Sequence, residues 1–351
     1  MEYTKNQLKR FTLSRSLFST TTLKSAVQKL SFVQIDPIRF PAPAQDLILR
    51  HRVKDYHVGD IDRLAPSLGL EEDFLYAHGY LTQDVWGLLH PREKVELTDF
   101  DKQVYETVRK MGSFHPKELE KHFDKAREIN WWGGYSRSSK MALDRLHYYG
   151  LLRIVGRQGG NRLYEAFSSK HVAIPIEERL KKIVMAMVQI MAPVSSKNLS
   201  QSMHRIHRQY GNTRPIIKSL VESGELEMHV VDGMTYLWPK GVLKESEVSP
   251  SVKFLAPFDP VVRDRFRFEH LWGWLYQFEA YVPAAKRIRG YYAMPILFGE
   301  EMVGWANVKR KDSGLDVDVG FVHGRPKSKQ FESELEMEIE RMKKFLEKDK
   351  E

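Results

Sequence analysis

The chain begins in helical rhythm. Apolar side chains recur along one face from Lys5 to Leu17 and again from Thr22 to Leu30, the spacing of two amphipathic helices. The rhythm then changes to the extended run Phe32 to Ile35, in which alternate residues point to opposite faces. Pro41-Ala42-Pro43-Ala44 predicts a turn, Gln45 to Arg52 a helix, and the stretch to residue 98 irregular helical pieces.

Two later stretches read as copies of one unit. In the first, Phe100 to Met111 predicts a helix, and Ser113 to Glu118 a turn into a second, because Pro116 suits a first helical turn. A third helix over Ser136 to Tyr149 turns Met141, Leu143, Leu146 and Tyr149 inward and stops at Gly150. Leu151 to Val155 and Arg162 to Tyr164 then flank the turn Gly159-Gly160-Asn161. The second copy has a helix at Leu180 to Met191, a turn with a capping serine at Ala192 to Ser196, and a helix at Arg214 to Glu222. Its hairpin joins Leu226–Val231 to Met234–Trp238 through Asp232-Gly233. Leu146 and Leu152 stand around Gly150 as Leu220 and Leu226 stand around Gly224. Helix, helix, helix, hairpin is the order of a winged helix, a helix-turn-helix variant with a β wing. The N-terminal segment fits as a degenerate third copy, with Gln34 and Asp36 where the other copies begin their wings.

From about Ser251 the texture turns to β. Tyr276 to Val282, Gly290 to Phe298 and Glu301 to Lys309 are rich in β-branched and aromatic residues, with a turn at Gly299-Glu300. The tail from Lys329 is a charged helix whose Phe331, Leu335, Met342 and Leu346 form a docking face. The expected fold class is α+β, with tandem winged-helix domains before a C-terminal β-rich domain. The boundaries are 1–98 (degenerate winged helix with helical extension), 99–175, 176–250, 251–328 and a terminal helix over 329–351.

Composition narrows the chemistry. Cysteine is absent from the 351 residues, which excludes disulfides, thiol nucleophiles and cysteine-ligated metal centres. There is neither a signal-peptide core nor an apolar run of the roughly eighteen residues a membrane span needs. The expected location is the cytoplasm, without membrane association. A net charge of +9 favours a polyanionic partner, nucleic acid first. Arg137 and Lys140 on one third helix, Arg157 and Arg162 on its wing, and Arg214 and Lys218 on the other copy stand where a winged helix meets DNA phosphates.

Other constellations are weaker. Phe258 to His270 collects Asp259, Asp264, Glu269 and His270, but three arginines among them point to internal ion pairing or phosphate contact rather than a metal site. Gly156 to Gly160 lacks the Lys-Ser/Thr of a phosphate loop, and no nucleophile elbow is present. Trp131-Trp132 reads as packing between subdomains in preference to base stacking. Gln34-Ile35-Asp36 is the most suggestive. In a strand its amide and carboxylate share one face, an arrangement able to orient and activate a water.

With these residues in hand, the chain resembles the winged-helix DNA glycosylases of the AlkZ and YcaQ type, described as crosslink-repair enzymes. The resemblance spans about residues 5 to 312. It rests on Phe32-Val33-Gln34-Ile35-Asp36-Pro37-Ile38, Ala44-Gln45-Asp46-Leu47, Leu49-Arg50-His51-Arg52-Val53, Phe258-Asp259-Pro260, Tyr281-Val282-Pro283-Ala284-Ala285-Lys286-Arg287 and Gly290-Tyr291-Tyr292. It implies a Gln-x-Asp catalytic motif, so that Gln34 and Asp36 inherit the role, and a lesion pocket near Gln45, His51 and His78. The chain has Tyr76-Ala77-His78-Gly79 where relatives often read Trp-Ala-His-Glu, and Val303-Gly304-Trp305-Ala306-Asn307 where they often read Val-Gly-Arg-x-Asp.

The implied activity is monofunctional hydrolysis of the N-glycosidic bond of N7-alkylguanine, extending to interstrand crosslinks. The partner is double-stranded DNA carrying alkylated or crosslinked bases, and the enzyme is a monomer. No metal or organic cofactor is needed. The rival readings are a non-enzymatic winged-helix regulator, which leaves Gln34 and Asp36 without a task, and, third, a metal-dependent nuclease.

Overall fold

The computed structural model describes residues 2–92, 96–123, 126–129, 133–158, 160–167, 174–243, 248–311 and 314–347. Trp131 and Trp132 lie outside these residues. The protein mixes α-helices with several separate antiparallel sheets.

The N-terminal part runs α1 (Lys5–Ser16), α2 (Leu23–Leu30), β1 (Phe32–Gln34), α3 (Ala44–Leu49), α4 (Asp60–Leu64), β2 (Leu70–Phe74), β3 (His78–Thr82) and α5 (Gln83–Leu89). Thr4 and Gln7 close a capping box at the start of α1, and Thr22 caps α2. Strands β1, β3 and β2 lie side by side in that order. The β2–β3 hairpin corrects the sequence reading, which put only helical pieces between residues 41 and 98. Glu71, Glu72 and Asp73 make β2 look unlike a strand, yet all three are buried. Arginines from elsewhere in the chain, set out below, make that burial tolerable.

The next part runs α6 (Asp99–Val108), α7 (Pro116–Leu119), β4 (Arg127–Ile129), β5 (Tyr135–Arg137), α8 (Ser138–Tyr148), β6 (Leu152–Gln158) and β7 (Asn161–Ala166). It has a core of its own, in which Val104, Val108, Phe114, Leu143, Leu146 and Tyr164 are buried together. The third part runs α9 (Ile176–Met191), β8 (Val194–Ser195), α10 (Ser196–Ser202), α11 (His204–Tyr210), α12 (Arg214–Glu222), β9 (Leu226–Val231) and β10 (Met234–Pro239). The turn joining β9 to β10 uses Asp232 and Gly233, both at positive φ (43° and 80°), as its dipeptide predicts.

One topological device occurs three times. A short extended segment after a helix pairs antiparallel with the second strand of the hairpin that follows. It is β1 on β3, Phe114 bridged to Tyr164 of β7, and β8 on β10. Gln34 therefore sits on the leading strand of its unit and not at the start of a wing, a second correction.

The C-terminal part comprises β11 (Val252–Phe254), α13 (Pro260–Arg263), α14 (Arg265–Trp272), β12 (Met294–Phe298), β13 (Glu301–Lys311), β14 (Gly314–Phe321) and α15 (Lys329–Glu347). Strands β11 to β14 pair in sequence order. Phe331, Leu335, Met342 and Leu346 of α15 are buried, as the tail pattern predicts. They join one core with Leu30, Val33, Leu47 and Ile48, so the two ends of the chain pack together. Tyr276 to Val282 is not a strand but the start of an irregular loop. Among the described residues no helix is long and apolar enough to cross a membrane.

Candidate active site

Gln34 ends β1 opposite Gly79 of β3, and the ladder extends one bond further, from Ile35 N–H to the His78 carbonyl at 2.9 Å. Asp36 follows at the point where the chain leaves the sheet. Its Oδ1 accepts the Ile38 N–H at 2.8 Å, an Asx turn across Pro37. Burial pushes the Asp36 carboxyl above its ordinary value, and the Ile38 N–H offsets part of that rise. The carboxylate is half-buried, with Oδ2 unengaged by any protein hydrogen bond among the described residues.

Gln34 is held from the other end of the chain. Its Oε1 accepts from Arg263 Nε at 3.0 Å, and the Arg263 guanidinium lies 4.0 Å above the Tyr76 ring. Arg263 closes the short helix α13, whose start is capped by Asp259 through the Val261 N–H at 3.0 Å. Asp259 in turn grips Arg52 in a two-pronged pair (2.8 and 2.9 Å), both side chains fully buried. A rigid relay thus runs from Arg52 through Asp259 and α13 to Arg263 and Gln34. Beneath Arg263, Phe32, Tyr76 and Arg267 help line a cavity of about 20 Å³, room for one water and not for a base.

Gly79 has no space for a side chain. A Cβ there would lie 2.5 Å from the Phe32 ring and 2.5 Å from the Val33 carbonyl oxygen. The ring of Phe32 and the Val33 backbone fill that space.

The opposite face of the β1–β3–β2 sheet carries an ion cluster. Glu72 accepts from Arg157, Arg162 and His78. Burial works to raise the Glu72 pKa, but Arg162, His78 and Arg157 together hold it well below the usual carboxylate range. Asp62 accepts from Tyr80 at 2.5 Å and approaches Arg157 at 3.7 Å. Gln45 points here too, its Nε2 donating to Asp62 Oδ1 at 3.4 Å. Arg157 and Arg162 are therefore engaged in fastening their hairpin to the N-terminal sheet, which differs from their expected phosphate role.

The other expected site residues scatter. His51 is buried against the Phe254 carbonyl at 2.9 Å, and burial with neighbouring Arg50 disfavours its charged form. It packs against the C-terminal part of the chain. His78 lies next to the motif through its backbone, while its ring faces Glu72. Arg137 pairs with Glu120. Lys140, Arg214 and Lys218 are exposed, Lys218 with Glu222 at 3.6 Å. Asp259 and Asp264 serve Arg52 and Ser195, and no carboxylate–histidine group suited to a metal occurs among the described residues.

Sequence reasoning singled out Tyr76 and the arginines of Phe258 to His270 but did not join Tyr76 or Arg263 to Gln34, and it missed the aromatic surroundings of Asp36. Tyr292 is buried with its hydroxyl unpaired, and its pKa is raised by burial, by Tyr276 and by Asp36. The signal existed in Gly290-Tyr291-Tyr292, but nothing local assigned it to the motif.

A family model described as "DNA glycosylase AlkZ-like" matches residues 27–345. This chain belongs to the AlkZ-like DNA glycosylase family. The solved structure of Streptomyces sahachiroi DNA glycosylase AlkZ is similar across 99% of this chain and 98% of that one, with a TM-score of 0.65 at 13% sequence identity. At that identity the likeness is one of fold. Family membership makes the AlkZ-like protein an enzyme acting on DNA, and the regulator reading falls away.

Proposed function

We propose that this AlkZ-like glycosylase hydrolyses the N-glycosidic bond of N7-alkylated purines, with Asp36 as base and electrostatic stabiliser and Gln34 orienting the water. The observation that carries the reading is the Asp36 carboxylate itself. One oxygen is fixed by the Ile38 N–H, burial raises its proton affinity, and it stands two residues from an amide clamped by Arg263. An N7-alkylguanine is cationic, so the C1′–N9 bond can break with its electron pair returning to the base as a neutral leaving group. The sugar left behind has oxocarbenium character. A carboxylate stabilises that charge, takes the proton as water adds to C1′, and leaves an abasic site with the strand intact.

The repeated helix and hairpin units are read as three tandem winged helices over 1–98, 99–175 and 176–250, followed by the β-rich part and terminal helix. Exposed Lys140, Arg214 and Lys218 are assigned to the DNA backbone. Arg137 is assigned there with them, its guanidinium partly exposed beside Glu120. A crosslinked base cannot rotate freely out of the duplex, so its site must be open. The half-exposed Asp36 favours an open surface over a closed base pocket.

The test is release of 7-methylguanine from methylated duplex DNA, with a crosslinked duplex as second substrate. Wild type should release the base and Asp36→Asn should not. Equal release by both rejects the assignment.

A further inference from the structure

The cavity beneath Arg263 lies where α2, β1, α9 and α10 meet the corner between α13 and α14. Leu30, Phe32 and Ile190 give it apolar walls, while Asn198, Arg263, Asp264 and Arg267 give it polar ones. At about 20 Å³ it admits a body the size of one water or one halide ion and is too small for a phosphate.

Neither guanidinium on this lining has an ion pair. Arg267 is fully buried and spends its Nη atoms on four neutral carbonyls, those of Met191, Pro193, Pro260 and Val261. Its Nε has no hydrogen-bond partner among the described residues. Arg263 commits Nε to Gln34, and neither of its Nη atoms meets an acceptor among the described residues. Asp264 is the one carboxylate on the lining, and neutral donors hold it. Its oxygens accept from the Ser195 N–H, the Ser195 hydroxyl and the Arg267 backbone N–H. Arg52, by contrast, meets its counter-charge Asp259 directly. Burial presses both Arg263 and Arg267 below the ordinary guanidinium value, and nearby Asp264 and tyrosines offset only part of that.

The lining thus sets two positive charges against one negative. A buried charge is costly unless it is paired. A water can accept from an arginine but cannot neutralise it. We propose that this cavity binds one small monovalent anion, a chloride-sized halide, between Arg263 and Arg267. The anion accepts from the uncommitted N–H groups of both arginines and balances the surplus charge. A spherical ion suits walls that are apolar on one side and donors on the other. It also fixes the Arg263 plane from which Nε meets Gln34. That consequence for catalysis rests on the glycosylase reading of Gln34; the binding does not.

The probe is bromide, which scatters anomalously. Crystals of the full chain grown in bromide should show an anomalous peak in this cavity. In solution, saturating bromide should raise the melting temperature by about 3 °C over gluconate, an anion too large to enter, at equal ionic strength. Arg263→Met leaves Arg267 and Asp264 balanced without an ion, so this variant should lose most of the bromide advantage. Bromide found only at the surface, water alone in the cavity, or an equal advantage in both proteins overturns the proposal. Should Arg263→Met fail to fold, the crystals decide, since they use wild-type protein. Failure of the Gln34 reading would show separately, as undiminished 7-methylguanine release by Gln34→Ala, because neither bromide measurement contains DNA.

Discussion

The leading strands of the first and third units occupy the same place in the same kind of sheet, yet their ends are used differently. At the end of β8, Ser195 is fully buried. Its Oγ caps α10 through the Asn198 N–H at 3.2 Å and donates to Asp264 at 2.8 Å, and its N–H donates to the other Asp264 oxygen at 2.8 Å. Every polar group there is occupied by structure. At the end of β1, Asp36 meets only the Ile38 N–H, because the following helix does not begin until Ala44. The extra chain removes the helix that a polar residue at this point would otherwise cap. What is a cap in one copy is left in the other as a half-buried carboxylate with an oxygen to spare.

The largest expected effect is on that spare oxygen. Asp36→Asn should lower 7-methylguanine release by about a thousandfold, the scale of losing base and electrostatic help together. It should not lower thermal stability, since burial already disfavours the charge. A variant that loses activity by unfolding would erase the contrast with Ser195. Gln34→Ala should follow, at about a hundredfold in rate, with Arg263→Lys showing a smaller loss in the same single-turnover assay because the fixed Nε donor is gone. An unaffected Gln34→Ala would reduce the site to Asp36 alone.

Ser195→Ala should show the opposite profile. Loss of a cap and a buried hydrogen bond should cost about 1–2 kcal/mol in denaturant unfolding, with unchanged release per folded molecule. The mildest effect is on pH. The folded Asp36 pKa lies above the unfolded one, so its ionised form costs stability above the folded pKa, and the cost disappears below the unfolded value. Activity should run the other way, falling as acid protonates Asp36 through a limb above the ordinary aspartate range. That limb should vanish from the residual rate of Asp36→Asn.

Much of the scaffold could be read from local signals. Capping residues, the Asp232-Gly233 turn and the apolar stripe of α15 each specify their element with nearby residues alone. The misses share a different cause. Strand β2 hides behind Glu71, Glu72 and Asp73, whose neutralising arginines arrive from residues 92, 157 and 162. Helices α13 and α14 hide behind charges that turn out to be caps and buried pairs. Tyr276 to Val282 has strand composition but is claimed by an irregular loop in which Glu279 accepts the Ile288, Arg289 and Gly290 N–H groups. Within the site, Gln34 and Asp36 were legible as a pair. Arg263 was not, because only folding brings it across the chain to Gln34.

The packing at Gly79 bears on which substitutions the site can accept. Phe32 and the Val33 backbone fill the space a side chain would take. An acidic residue cannot be accommodated at position 79 by one substitution, nor by trimming Phe32 alone, because the strand carrying Gln34 would also have to move. Each step taken singly would harm the motif it was meant to adjust. Position 79 is therefore mechanically coupled to Phe32 and to the backbone that carries Gln34: a side chain there is tolerated only if ring and strand give way together.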